Sequence, residues 1–384
     1  MPNEAGTEDG SVARLEDAYL ERFVADVLAR VGVPREDARI CADVLITADR
    51  RGIDSHGMNR CKPIYYDRIR AGILNPITNF EIVREGPATA VVDGHNGMGH
   101  VIAKRCMSMA IGKAREYGLG MVAARNSTHY GIAGYYVLMA AAAGMIGVTG
   151  TNARPSIAPT FGVENMLGTN PLSFGMPTDE DFPFVLDCAT SVTQRGKLEY
   201  YDRTGRAIPA GWAIGRDGRT RTDTHGILED MPRGRAALLP LGGAGEETAG
   251  YKGYGYATVV EILSSALQAG NYMQALSGWR DGKRAPIELG HFFIAVDVRP
   301  FIDPDEFRRR AGEILRALRQ SEKSAGAERI YTAGEKEHLA WLERKKRGIP
   351  LPAGVQRDMV AMRDETGLAE YVFPWETGGK AARG

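Results

Sequence analysis

The chain has 384 residues, 43% hydrophobic and 25% charged, and its 48 Lys plus Arg balance 48 Asp plus Glu. That length can bury a sizeable core and divide into two or three lobes. A net charge of zero lacks the basic footprint of a nucleic-acid binder.

Residues 1–11 are polar and acidic and read as a frayed tail, without the basic start and apolar core of a secretory leader. Leu15 to Val31 places Leu15, Tyr19, Phe23, Val24, Val27 and Leu28 at helical spacing. Pro34 opens a second helix with Ile40, Cys41, Val44, Leu45 and Ala48 on its stripe, and Gly52 ends it. The run Arg51-Gly52-Ile53-Asp54-Ser55-His56-Gly57-Met58-Asn59-Arg60 therefore follows a helix C-terminus, whose partial negative charge modestly favours a protonated imidazole if the ring points back toward it.

From Pro87 the texture changes. Ala88 to Gly94 reads as a strand and turn, Val101 to Tyr117 as a helix, and Gly120 to Ala124 as a strand. This strand runs through Asn126-Ser127-Thr128-His129-Tyr130-Gly131 into a helix over Tyr135 to Ala143. Strand, glycine turn, helix can hold a phosphate on free N–H groups, and it is also an ordinary connection in any α/β protein. Strands follow at Ile146 to Gly150 and Phe184 to Asp187. Asp187 is either a strand-end cap or an orienting partner for a histidine. Gly211 to Arg235 is polar and glycine-rich and reads as an exposed excursion. A helix over Val259 to Leu267, a buried strand over Phe292 to Val298, a charged helix from Pro304 to Gln320 and a helix from Lys336 to Lys346 complete the chain.

Several site types are missing. There is no G-x-G-x-x-G or G-x-x-x-x-G-K-[ST], because Gly94-His95-Asn96-Gly97-Met98-Gly99 and Gly250-Tyr251-Lys252-Gly253-Tyr254-Gly255 reverse the dinucleotide spacing. No H-E-x-x-H occurs, and His95 and His100 are wrongly spaced for one helical face, so no metal is expected. A G-x-S-x-G elbow is absent as well. Cys41, Cys61, Cys106 and Cys188 are scattered and read as reduced core thiols, which favours the cytoplasm. The apolar stretch Tyr135 to Ala143 is too short to cross a membrane. What remains is a titratable imidazole, His56, beside the Ser55 hydroxyl, with the planar fork of Arg60 four residues on. A proton carrier beside a carboxylate clamp suits chemistry at a carbon next to a carboxylate.

Taken in order, Arg51 to Arg60, Asn126 to Gly134, Gly168-Thr169-Asn170-Pro171-Leu172-Ser173-Phe174-Gly175, Asp187 to Ser191 with Gly196-Lys197, Leu239-Pro240-Leu241-Gly242-Gly243, Tyr251-Lys252-Gly253 and Gly334-Glu335 resemble the type-2 malate/L-lactate dehydrogenase family. Its relatives include ureidoglycolate, sulfolactate and diketogulonate dehydrogenases and a cyclic-imine (piperideine-2-carboxylate) reductase. The resemblance covers roughly residues 15 to 352. It implies an α/β fold that is not a Rossmann fold, with a cofactor domain on a large mixed or antiparallel sheet and helical lobes from both chain ends. The expected division is 1–115, 116–300 and 301–384, the last packing back on the first, in a homodimer.

The same resemblance implies hydride transfer between a nicotinamide cofactor and a small 2-hydroxy or 2-oxo acid of malate or lactate type. The alternatives are reduction of a cyclic imine carboxylate or a non-catalytic nucleotide-binding relative. His56 matches the proton donor or acceptor, Ser55 and Asp187 its relay partners, and Arg60 the carboxylate-binding arginine. His129 matches a second site histidine that some relatives use as the base, and Asn152 joins Arg60 and His129 as a substrate contact. Tyr130, Gly131, Ala133 and Gly134, then Asp187, Cys188 and Ala189, Leu239 and Pro240, and Ala333, Gly334 and Glu335 match cofactor contacts. Glu335 and Glu337, where NADP-preferring relatives tend to carry arginines, point to NAD, with NADP possible. The sequence departs from the family at Gly215, where relatives often have Asp, and at Thr224, where Pro is usual.

Overall fold

The computed structural model describes residues 12–377; the acidic tail at 1–11 lies outside them. In chain order the longer helices are α1 (Asp17–Arg30), α2 (Arg35–Arg50), α3 (Gly99–Tyr117), α4 (Gly134–Ala142), α5 (Arg195–Arg203), α6 (Gly250–Ser264), α7 (Pro304–Gln320), α8 (Glu335–Arg347) and α9 (Ala353–Thr366). The main-sheet strands are β1 (Glu81–Glu85), β2 (Thr89–Asp93), β3 (Leu119–Ser127), β4 (Met145–Thr151), β5 (Leu172–Met176), β6 (Phe184–Cys188) and β7 (Leu289–Asp297). They fall into two compact units, one running to Ile77 and resuming at Glu335, the other spanning Thr78–Gly334.

In the first unit α1 buries Leu20, Phe23, Val24, Val27 and Leu28; the spacing predicts the last four, whereas Leu15 lies in a short strand before the helix and Tyr19 is only half-buried. The chain end is stitched onto it: Phe23 meets Tyr371 and Phe373 edge-on at 5.1 and 5.4 Å, and Tyr371 Oη donates to Asp26 at 2.6 Å. Ala13–Leu15 pairs antiparallel with Ile349–Leu351. After α2 the chain makes a short helix, Met58–Arg60, which widens into a π-helical stretch at Cys61–Tyr66. π-Turns of this kind gather at functional sites.

The second unit is built on a seven-stranded mixed sheet, β1-β2-β3-β7-β4-β5-β6. Only the β2–β3 pair is parallel. A parallel pair needs a crossover, and α3 supplies it. Helices α3 and α4 pack on β3, β7, β4 and β5, and α6 lies against β7 and β4. Helix α7 begins at the expected Pro304, where Asp303 accepts from the Asp305 and Glu306 amides.

Four readings change. The β1–β2–α3 segment is part of the main sheet, so the units divide at 77/78 and 334/335 rather than at 115/116 and 300/301. Residues 211–235 are not simply an exposed excursion. Ala213–Gly215 joins a three-stranded sheet with Ala236–Leu238 and Thr220–Arg221, and Ala213, Ile214, Ile227 and Met231 are buried. The helix read as Val259–Leu267 begins at Gly250 and stops at Ser264, because the glycine-rich run is its first turns. Strand β1, all exposed residues, carries no apolar alternation to read.

Candidate active site

The first unit holds the Ser55-His56 run, with His56 half-buried just past the end of α2. Ser55 Oγ lies 2.8 Å from His56 Nδ1. Burial, reinforced by the Arg60 charge, lowers the imidazole pKa to about 4. This reverses the expectation of a protonated ring: desolvation outweighs the helix-end dipole, and the group is neutral at physiological pH. Arg60 Nε donates to the Ser55 carbonyl at 2.8 Å, which fixes the guanidinium. Its two Nη groups make no hydrogen bond or ion pair among the described residues.

In the second unit the β3–α4 turn carries His129, whose Nδ1 accepts from the Gly131 amide at 3.2 Å. A neutral ring with Nδ1 as acceptor carries its proton on Nε2, which makes the outer nitrogen a donor. Thr128 pins the turn, accepting from the Gly99 amide at 2.9 Å and donating to the Gly97 carbonyl at 2.7 Å. The following Tyr130 ring is buried and stacks on His291 at 4.5 Å and 8°. Its ring therefore faces the core, and only its backbone remains for a ligand.

The expected cofactor segments of this unit line up along edge strand β6. At its start the Val185 amide donates to the Ala333 carbonyl at 3.3 Å. Gly334, at φ +89°, sits so close that a Cβ would lie 3.0 Å from the Val185 nitrogen. At its end Asp187 Oδ2 accepts from the Gly134 amide at 2.6 Å, so the carboxylate caps helix α4 rather than its own strand. Beyond it the Val192 amide donates to the Leu239 carbonyl at 3.0 Å and Ser191 bridges Pro240.

A family model described as malate/L-lactate dehydrogenase matches residues 15–360. The chain belongs to the malate/L-lactate dehydrogenase family. It is 43% identical over 365 residues to the malate dehydrogenase of Pyrococcus horikoshii, covering 95% of this chain and 99% of that one. It is 38% identical over 348 residues to the L-sulfolactate dehydrogenase of Methanocaldococcus jannaschii, covering 91% and 96%. The crystal structure of malate dehydrogenase from Entamoeba histolytica superposes with a TM-score of 0.90 at 44% identity, covering 94% of this chain and 99% of that one. The chain is thus an oxidoreductase of hydroxy acids that uses a nicotinamide dinucleotide, and its relatives include enzymes named for NAD(+) and for NADP(+).

The residues present fit such a cofactor. The buried Ile132 and Ala133 amides, at the positive end of α4, make no hydrogen bond among the described residues. They are the donors a phosphate would use. Gly334, at positive φ, lets the 333–334 turn lie directly against the backbone at Pro183 and Val185.

Three expectations change. Asn152 is fully buried: its Oδ1 accepts from the Gly290 amide at 2.8 Å and its Nδ2 donates to the Asn271 carbonyl at 3.0 Å. That amide pins β7, so the substrate role is withdrawn. Cys188 is exposed, unlike the buried Cys41, Cys61 and Cys106, because it closes an edge strand. Glu335 is buried at the start of α8, leaving Glu337 as the more open carboxylate of that turn.

Two residues that sequence reasoning passed over support the site. His291 joins Thr151 Oγ1 and Ser127 Oγ, each at 2.7 Å, and so ties β7 to β4 and β3 beneath Tyr130. Its cue was a polar residue heading an apolar strand. Asp49, on the buried face of α2, accepts from the Met58 amide. Its cue was a carboxylate four residues after Leu45 on an apolar stripe.

Proposed function

We propose that the enzyme oxidises a malate-type 2-hydroxy acid reversibly to its 2-oxo acid with NAD, with His56 as proton acceptor and His129 as hydrogen-bond donor to the substrate oxygen. The observation that carries the division of roles is the Gly131 amide on His129 Nδ1, which leaves the outer nitrogen of that ring protonated. His56 has the complementary arrangement. When its Nδ1–H donates to Ser55 Oγ, Nε2 carries the lone pair, and the depressed pKa keeps the ring neutral at physiological pH. A positioned base of this kind supplies about 10²–10⁴-fold in rate.

The nicotinamide, when bound, supplies the hydride acceptor. Arg60 grips the substrate carboxylate through its free Nη groups, and docking there cancels part of the charge that depresses His56, raising its pKa as the proton arrives. The backbone of Gly131, Ala133 and Gly134, the β6 end at Asp187, Cys188 and Ala189, Leu239 and Pro240, and the Ala333-Gly334 turn with Glu335 hold the dinucleotide. The relay role of Asp187 rests on the family resemblance. The same resemblance, with three buried free thiols, supports a cytoplasmic homodimer that takes lactate as well as malate.

The names of relatives at 43–46% identity favour malate over sulfonate or ureido substrates. The test is consumption of NADH, followed at the reduced-nicotinamide absorbance band, over a panel of 2-oxo acids and one cyclic imine carboxylate. Oxaloacetate should be turned over best. Turnover of the imine alone would replace this reading by the reductase alternative.

A further inference from the structure

The His56 run is anchored by a carboxyl that the reaction does not use. Asp49 lies in the last turn of α2, only 3% exposed, and its Oδ2 accepts from the Met58 amide at 2.8 Å. Between His56 and Met58 the backbone rests directly on that carboxyl: a Cβ on Gly57 would lie 2.0 Å from Asp49 Oδ1 and 2.1 Å from its Cγ. The other side of the run is tied by Arg344 of α8, which donates to the Asp49 carbonyl and, at 2.9 Å, to Asp54 Oδ2. His56 thus sits between a tie at residue 54 and a tie at residue 58, with its ring on Ser55. Burial pushes the Asp49 carboxyl well above the ordinary carboxylate range. A group kept neutral and used as an acceptor is suited to holding a loop, not to carrying charge.

We infer that Asp49, through its hydrogen bond to the Met58 amide and its contact with Gly57, is a positioning residue that sets the His56 imidazole for proton transfer. The inference rests on the reading of His56 as proton acceptor. Nothing in it requires Asp49 to touch substrate or cofactor. What is needed is an acceptor oxygen of the right length under Gly57 and Met58, and asparagine supplies one.

The experiment compares Asp49→Ala, Asp49→Asn, Gly57→Ala and His56→Ala by oxaloacetate-dependent NADH oxidation, with the histidine ring resonances followed by NMR against pH. Misplacement of a reacting group by about 1 Å costs on the order of 10²-fold. Asp49→Ala should therefore lose about ten- to a hundredfold in kcat while KM for NADH stays within about twofold. Asp49→Asn should keep kcat within about threefold of wild type. Gly57→Ala should reproduce the loss by pushing the carboxyl aside, which keeps the inference testable if Asp49→Ala does not fold. The resonance missing from His56→Ala should titrate near 4 in the wild type and in Asp49→Asn, and higher in Asp49→Ala as the freed loop meets water.

An inactive His56→Ala beside Asp49→Ala at wild-type kcat overturns the positioning role and leaves the base assignment standing. An active His56→Ala overturns the base assignment itself. Asp49→Asn as slow as Asp49→Ala shows that the acid, not the acceptor geometry, matters, and also overturns the inference.

Discussion

The two candidate histidines, one in each unit, are held by opposite means. His56 is held by side chains: the Ser55 hydroxyl on its ring, the Asp49 carboxyl under the next peptides and Arg344 on the preceding turn. His129 is held by backbone: the Gly131 amide on its Nδ1, and the 94–99 turn laid along 125–128 through the Gly94, Asn96 and Gly99 amides. Glycine makes that second arrangement feasible, since a Cβ on Gly99 would lie 2.3 Å from the Thr128 carbonyl oxygen. Backbone amides do not titrate, so they fix a tautomer at any pH. A side-chain cage can shift a pKa with its contents. A ring that must change charge gains from the side-chain cage, and a ring that only donates gains from the backbone.

Removing each ring is the most direct way to break the comparison. His56→Ala should lower the rate of hydride transfer by about 10²–10⁴-fold in single-turnover measurements with C2-deuterated substrate. His129→Ala should lose less in the chemical step and more in substrate binding, because it removes a hydrogen bond rather than the proton acceptor. The outcome that reverses the assignment is a His56→Ala enzyme at wild-type rates beside a dead His129→Ala.

How legible each region was follows from the same contrast. The Ser55, His56 and Arg60 constellation could be read because its partners are five residues apart or fewer in the chain. The 3.6-residue stripe of α1 and the Pro304 start of α7 were equally local. Alignment of Gly134, Asp187, Leu239 and Ala333 along β6 could not be read from spacing, because it depends on strand order across a sheet whose neighbours lie far apart in sequence. Only family resemblance carried those residues. The neutral state of His56 could not be read, because the helix-end dipole is visible in a sequence and burial is not. Asn152 was misread for a related reason: an Asn after a strand is equally suited to a ligand and to a strand pin until its partners at 271 and 290 are known.

Arg60 sharpens the comparison, because its charge acts on the His56 ring. A charge-assisted, two-point grip on a carboxylate contributes roughly 1.5–3 kcal/mol, or about one to two decades in binding. Arg60→Lys should weaken 2-oxo acid binding by that amount and leave NADH binding unchanged. Arg60→Gln should also raise the His56 pKa, since the guanidinium is the second cause of its depression. The acid limb of the kcat/KM profile would then move to higher pH. Equal loss for both ligands, with no movement of that limb, would remove Arg60 from the substrate site.

The His129 side has its own titratable support. Burial holds His291 down to about 3, while an unfolded histidine takes up a proton near pH 6.5. Between those values the unfolded chain binds more protons, so stability rises with pH and is lost as pH falls. From about pH 6.5 to about pH 5 one such group accounts for about 2 kcal/mol. His291→Phe keeps a ring under Tyr130 but loses the bonds to Ser127 and Thr151. It should be less stable than wild type at pH 7, with a smaller deficit at pH 5. Urea unfolding of both proteins at the two pH values measures this, and an equal or larger deficit at pH 5 would show that His291 is not held neutral.

The smallest effect expected concerns cofactor choice, and it extends the comparison to the start of α8. A carboxylate accepts from a ribose 2′-hydroxyl and repels a 2′-phosphate. Glu335 is buried, whereas Glu337 is more open and near enough to Arg51 to raise that guanidinium's pKa against the lowering by burial. If this turn reads the ribose, Glu337 rather than Glu335 does it. An exposed charge contributes up to about 1 kcal/mol, so Glu337→Arg should move the ratio of kcat/KM for NAD to that for NADP by about fivefold toward NADP. The ratio for Glu335→Gln should stay near wild type. Arg51 adds a second reading of the same measurement: with Glu337 gone it is free to pair with a 2′-phosphate, so Glu337→Gln alone should give part of the shift. A wild-type preference for NADPH would end the NAD assignment, and an unchanged ratio in Glu337→Arg would place the ribose elsewhere.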